Sequence, residues 1–284
     1  MSGAIESGGG AEAVTVEDHY VFDPESIETR LRIRTSNVES ARGVVTMSMR
    51  VPDFSMTDEK RPMVGTVAVL GDVVGGLVNH IARPADTWTV TSELSMDIGG
   101  VVAAGDEVVG STELLTADAG GALSLTRFRV GERCVGVATV RSFFLPAASV
   151  AIDYDARPER APVPEATSTE ELLAIQRVAG AKDGEVVLAA QPDSVVGNAM
   201  GFVHGGVVAA AIECAALGAL EAGGAAPMSV GSIRVNYLRP FIAGDGACYR
   251  ARAERIGRSV ASVVANAVGA DGAIAASARV TAYA

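Results

Sequence analysis

The stretch NAMGFVHGGVVAAAIECAALGAL, Asn198 to Leu220, decides the fold. From Gly205 onward it is a run of small apolar residues broken by one charge, Glu213, and it reads as a helix that is apolar nearly all round. A helix with no polar face has to be covered on every side. The neighbouring segments supply that cover. GEVVLAAQP (Gly184 to Pro192) precedes it, and Met228–Tyr237, Ala247–Arg255, Val260–Val268 and Ala273–Ala282 follow with period-two alternation. Alternation joined by Gly-containing turns, such as GADG from Gly269 to Gly272, argues antiparallel strands. One helix per five-stranded antiparallel sheet is best buried if the sheet curls around it.

The same plan is written earlier in the chain. GVVTMSMRVP (Gly43 to Pro52) matches Gly184–Pro192, and Trp88–Met96, Glu107–Leu115, Leu123–Val130 and Cys134–Phe144 match the four later strands. Between them lies GTVAVLGDVVGGL (Gly65 to Leu77), which on its own could be a strand interrupted at Gly71-Asp72. The repeat decides for a helix. The expected fold class is therefore α+β, two tandem units that pair edge to edge into one sheet with the two helices side by side. Residues 1–18 read as a flexible Gly/Ala/Glu-rich tail, 19–147 as the first unit, the proline-rich charged segment 148–168 as a linker, and 169–284 as the second unit.

A chain of 284 residues with 49% hydrophobic content can bury a sizeable core. A net charge of −11 argues against nucleic acid as a partner. Every apolar run is read as broken before the roughly 18 residues a membrane span needs, and the first residues lack a basic-then-apolar leader, so neither membrane insertion nor export is expected. The three scattered cysteines, Cys134, Cys214 and Cys248, show no metal or disulfide spacing, and a reducing cytoplasm is the expected compartment. No metal and no cofactor are called for.

The chemistry concentrates on the two helices. Each carries a single acid, Asp72 and Glu213, and counting back from them pairs Gly65 with Gly206, Val64 with Gly205, Met63 with His204 and Thr57 with Asn198. Most acids on helices are solvated, but a carboxylate set among apolar residues costs several kcal/mol unless it is paired, which makes it a functional candidate. Glycines at a helix start let a ligand approach free backbone N–H groups that can hold an oxyanion. Gly205 and Glu213 lie eight positions apart, about 12 Å along one helix, too far to act on one carbonyl. If the helices run antiparallel side by side, the working pairs are crossed: Gly205 with Asp72, and Val64 and Gly65 with Glu213.

The pattern Asn-x-x-Gly-x-Val-His-Gly-Gly-x(6)-Glu, Asn198 to Glu213, with Arg234-Val-Asn-Tyr-Leu-Arg-Pro240 and Gly244-Asp245 downstream, resembles hotdog-fold acyl-CoA thioesterases of the phenylacetate-pathway (PaaI-like) type. The resemblance covers about Thr169–Ala284 well and Ile33–Leu145 faintly, and it implies a tandem, double hotdog chain. It also implies that Gly205 N–H polarises a thioester carbonyl, that Asn198 orients the thioester or water, and that the acid, as nucleophile or general base, comes from the opposite helix. Asn198, His204, Gly205 and Gly206 with Asp72 then form the more complete site. The other site has Glu213 facing Thr57, Met63, Val64 and Gly65, and is expected to be weak or dead.

The family often carries Ser or Thr on the strand after the helix. Here those slots read Val90 and Val230, with Thr89, Thr91 and Ser229 adjacent. Arg255 and Arg258, beside the turn ERIGRS, are candidates for CoA phosphates. The expected activity is hydrolysis of an acyl-CoA with an apolar acyl group, by a homodimer of double-hotdog chains. An acyl-CoA hydratase or a non-catalytic acyl-CoA sensor are the rival readings.

Overall fold

The computed structural model describes residues 22, 25–53, 64–150, 166–178, 184–198 and 200–284. The expected tail 1–18, Thr57, Met63 and most of the expected linker lie outside the described residues. In chain order the elements are α1 (Ile27–Arg30), β1 (Arg34–Glu39), β2 (Val44–Arg50), α2 (Gly65–Ile81), β3 (Thr87–Ile98), β4 (Glu107–Ala117), β5 (Gly121–Val130) and β6 (Arg133–Pro146). They continue with α3 (Thr169–Leu173), β7 (Ile175–Arg177), β8 (Glu185–Ala190), α4 (Gly205–Ala222), β9 (Ser229–Tyr237), β10 (Cys248–Ile256), β11 (Val260–Val268) and β12 (Ile274–Tyr283).

The strands form one 12-stranded sheet in the order β1-β2-β4-β5-β6-β3-β9-β12-β11-β10-β8-β7, antiparallel at every join. The halves meet where β3 pairs with β9: Ser95 faces Arg234, with Glu93 opposite Asn236 and Asp97 opposite Ser232 on either side. Ser95 and Arg234 therefore straddle a pseudo-twofold axis. Arg234 crosses the seam, donating to both Asp97 carboxylate oxygens at 2.8 and 2.7 Å and to Met96 O at 2.8 Å.

α2 packs on all of β2 to β6, and α4 on all of β8 to β12. Five strands about 4.8 Å apart can touch a single helix about 10 Å across only if the sheet bends around it. That is why both helices lack a polar face. Along α4, Val207 to Ile212 are at most 1% exposed. At 18 residues α4 is long and apolar enough to cross a membrane, contrary to the reading of its sequence as interrupted, but it is spent on the core of the fold instead.

The helices cross at glycines. A Cβ on Gly206 would stand 2.5 Å from Val69 Cα, and one on Gly65 would stand 2.6 Å from Ala210 Cα. These are pseudo-equivalent contacts, since Val69 and Ala210 each lie three residues before the acid of their helix. Only glycine lets the two backbones come this close.

Each half has a sixth strand and a one-turn helix that the alternation does not announce. β1 and β7 are short edge strands, reached from α1 and α3 through left-handed residues at matched places, Arg32 (φ 54) and Ala174 (φ 50). Ser26 and Ser168 cap the two turns, accepting from Thr29 N and Glu171 N. The repeat extends this far in sequence as Ser-x-Glu-x-x-Leu-x-Ile, at Ser26–Ile33 and again at Ser168–Ile175.

Candidate active site

The antiparallel crossing brings the acid of each helix under the N-terminus of the other, and the two sites differ. At the first, Asp72 is 5% exposed and its Oδ2 accepts from Gly206 N at 2.8 Å. Its Oδ1 accepts from the Thr91 hydroxyl at 3.0 Å. His204 is the N-cap of α4, its Nδ1 accepting from Gly206 N at 3.1 Å and lying 3.4 Å from Asp72 Oδ2. An accepting Nδ1 puts the neutral ring's proton on Nε2, which faces Glu28 Oε1 at 3.7 Å. Tyr237, at the end of β9, donates to Gly205 O at 2.7 Å. Among the described residues no acceptor meets Gly205 N–H, a first-turn helix donor open to a ligand beside a held carboxylate.

At the second site Glu213 is wholly buried and takes up both donors at the start of α2: Oε1 accepts from Val64 N at 2.9 Å and Oε2 from Gly65 N. Burial pushes its carboxyl up to about 8, opposed by the two backbone N–H groups. Val64 N, the counterpart of Gly205 N, is thus already occupied. Glu213 caps the opposite helix through both carboxylate oxygens, at the site whose activity the sequence led one to expect weak or dead. Its extra methylene lets one carboxylate span two N–H groups where Asp72 engages one.

Although the family's slot on the strand after the helix reads Val90, a hydroxyl from β3 does reach the acid, from Thr91. Strict alternation with the buried Leu94 and Met96 points Val90 inward, but the β3–β6 register shifts between Thr91 and Glu93. This bulge reverses the phase, so Thr89 and Thr91 face α2. Thr91 meets Asp72, while Thr89 meets His80 Nδ1 at 3.2 Å, away from the acid. Burial first, then the charge of Arg83, holds His80 down to about 4, so it is a neutral structural partner. β9 bulges between Val230 and Ser232, aligning Val230 with Thr91. Val230 is 3% exposed and faces inward, which turns the neighbouring Ser229 away from α4.

Asn198 shapes the loop before α4, its Oδ1 accepting from Met200 N at 3.0 Å and Phe202 N at 3.2 Å. Only its amide NH2 remains for a ligand. Arg255 and Arg258 are not brought to Asp72. They are exposed at the β10–β11 end beside Gly223, past the C-terminus of an 18-residue helix whose N-terminus is Gly205, about 27 Å away. Glu28 is a site residue that alternation could not reveal, because α1 comes from the first half and closes over the loop of the second. Arg30, on the same turn, ties it there through Asp193 Oδ2 at 3.1 Å.

Two helices crossed inside one curled antiparallel sheet, each acid beneath the other's N-terminus, define a double hotdog arrangement. Residues 200–276 match the family model described as Thioesterase superfamily. Among solved structures the chain is similar to the TesB protein of Mycobacterium avium subsp. paratuberculosis, with TM-score 0.64 and 13% identity over 90% of this chain and 97% of that one. It is also similar to acyl-CoA thioesterase II TesB2 from Mycobacterium marinum (TM-score 0.60, 13% identity, 90% and 96% covered). The 12:0-ACP thioesterase from Umbellularia californica is a third (TM-score 0.57, 11% identity, 84% and 94% covered). At these identities the likeness is one of fold. No curated protein matches the sequence.

Proposed function

We propose that the chain hydrolyses an acyl-CoA thioester to the free acid and CoA at the Asp72 site. The observation that carries this reading is the open Gly205 N–H standing at a helix N-terminus beside a carboxylate that Gly206 N–H and Thr91 hold in place. The thioester oxygen accepts from Gly205 N–H, which stabilises the developing oxyanion by about 3 kcal/mol with help from the helix dipole. Asp72 works on the carbonyl carbon, either directly or through a water it deprotonates. Gly206 N–H and the Thr91 hydroxyl fix the orientation of the carboxylate. His204 caps the helix and, through the Nε2–H tautomer, leaves its Nδ1 lone pair toward Gly206 N–H. The match of residues 200–276 supports thioester chemistry, and the small apolar residues around the two helices support an apolar acyl group.

The His-Gly-Gly loop supports the PaaI-like type within that chemistry. The free state of all three cysteines supports a reducing compartment such as the cytoplasm. A homodimer of chains is the proposed assembly, and light scattering that finds a monomer at all concentrations would rule it out. The test of function is free-thiol release from a panel of aliphatic and aromatic acyl-CoAs, with Asp72→Asn as control. Release from no thioester, or equal release by the variant, would reject the reading.

A further inference from the structure

The two halves are built on one plan, so each residue of the Asp72 site can be read against its counterpart at the Glu213 site. Aligning the bulges of β3 and β9 sets Thr91 against Val230 and, seven residues on, Ile98 against Tyr237. Ile98 packs as a partly buried apolar side chain, so packing at this place asks for no hydroxyl. A phenol stands only on the half that faces Asp72. Its O–H donates to Gly205 O at 2.7 Å, and its ring backs the residue closely enough that a Cβ on Gly205 would lie 3.4 Å from Cζ. Burial, and next the Asp72 charge, hold the phenol protonated well above the ordinary tyrosine range, so it stays a donor at any working pH.

Gly205 C=O and Gly206 N–H belong to the same peptide unit. Tyr237 grips that unit by its oxygen while Asp72 Oδ2 accepts from its hydrogen at 2.8 Å. A donor on the carbonyl polarises the amide and strengthens the bond its N–H makes. The same grip fixes Gly205 itself, and with it the direction of the open Gly205 N–H.

We propose that Tyr237 is a positioning residue that holds the Gly205–Gly206 peptide, coupling the oxyanion donor to the Asp72 carboxylate. The inference rests on the thioesterase reading for its kinetic consequence, and on geometry alone for the coupling. Tyr237→Phe keeps the ring and removes only the hydroxyl. The expected result is a kcat about tenfold lower, with KM within about twofold and Tm within about 2 °C of wild type. In the amide NMR spectrum the Gly206 proton should move upfield as its bond to Asp72 weakens. A kcat within about twofold of wild type, a kcat loss matched by KM or accompanied by a larger fall in Tm, or an unmoved Gly206 resonance would each overturn the proposal. The amide shift needs no substrate. If wild type releases no thiol from any acyl-CoA but the resonance moves, the coupling stands and the assigned reaction falls.

Discussion

Asp72 and Glu213 hold matched positions on two crossed helices, and the methylene by which they differ decides what each carboxylate does to the helix opposite. Asp72 bonds Gly206 N and leaves Gly205 N–H open, whereas Glu213 bonds both Gly65 N and Val64 N and leaves nothing for a ligand. Replacing Asp72 by Asn removes the carboxylate while keeping the size, and kcat should fall at least about a hundredfold by either route. Glu213→Gln should leave kcat within about threefold of wild type and lower Tm, because one of two buried N–H groups loses its acceptor. Steady-state kinetics and melting curves of the two variants check both; a dead Glu213→Gln with an active Asp72→Asn would reverse the assignment.

Asp72→Glu copies the second site into the first. The longer side chain should reach Gly205 N–H as Glu213 reaches Val64 N. Activity should drop at least about tenfold although the charge is retained, with Tm equal to or above wild type. Unchanged turnover would show that the second N–H is not the oxyanion donor.

Gly205→Val tests the same donor from the backbone side. A Cβ at residue 205 would lie 2.7 Å from Asp72 Oδ2 and 3.3 Å from its Cγ, so the carboxylate has to move. The loss should fall mainly on kcat, about a hundredfold. Activity kept within about threefold, with Tm unchanged, would refute the role of this N–H.

Thr91→Val writes the Val230 side chain into the working site and frees Asp72 Oδ1 from its 3.0 Å bond. With shape nearly conserved, kcat should fall about tenfold and Tm by no more than a few degrees. A kcat equal to wild type would show that Gly206 N–H alone positions the acid.

Glu213 should also leave a signature in stability against pH. Its folded pKa, about 8, lies above the ordinary value of 4.5. In that interval the folded chain keeps a proton the unfolded chain has released, so its contribution is full below about 4.5 and is lost as pH rises through about 8. The difference in unfolding free energy between wild type and Glu213→Gln should therefore shrink from pH 5 to pH 8, as denaturant titrations would measure. A difference that stays flat over this range would show that Glu213 is buried as the anion, its proton released in folded and unfolded chains alike.

The sequence by itself determined the helices, most of the strands and their doubling, because those depend on local pattern. The run Gly205–Leu220 has no polar face to offer water, and alternation marks its cover. Spacing along a helix is also local, so helix rise, once the repeat had set the two helices antiparallel side by side, made the crossed pairing of Asp72 with the glycine loop legible. The repeat Ser-x-Glu-x-x-Leu-x-Ile would have announced α1, α3 and the edge strands, but the three residues of β7 are too few to show a period and the six of β1, RTSNVE, are mostly polar. The tertiary structure alone decided which side chains serve the acid. Strict alternation points Val90 inward, and only the bulge before Glu93 turns Thr91 toward Asp72. Glu28 and Tyr237 reach the loop from elements far away in sequence, and Glu213 finds its donors 149 and 148 residues away. A side chain's reach across a helix crossing, one methylene in the case of Glu213, is fixed by how closely two backbones pack. No local pattern encodes that distance.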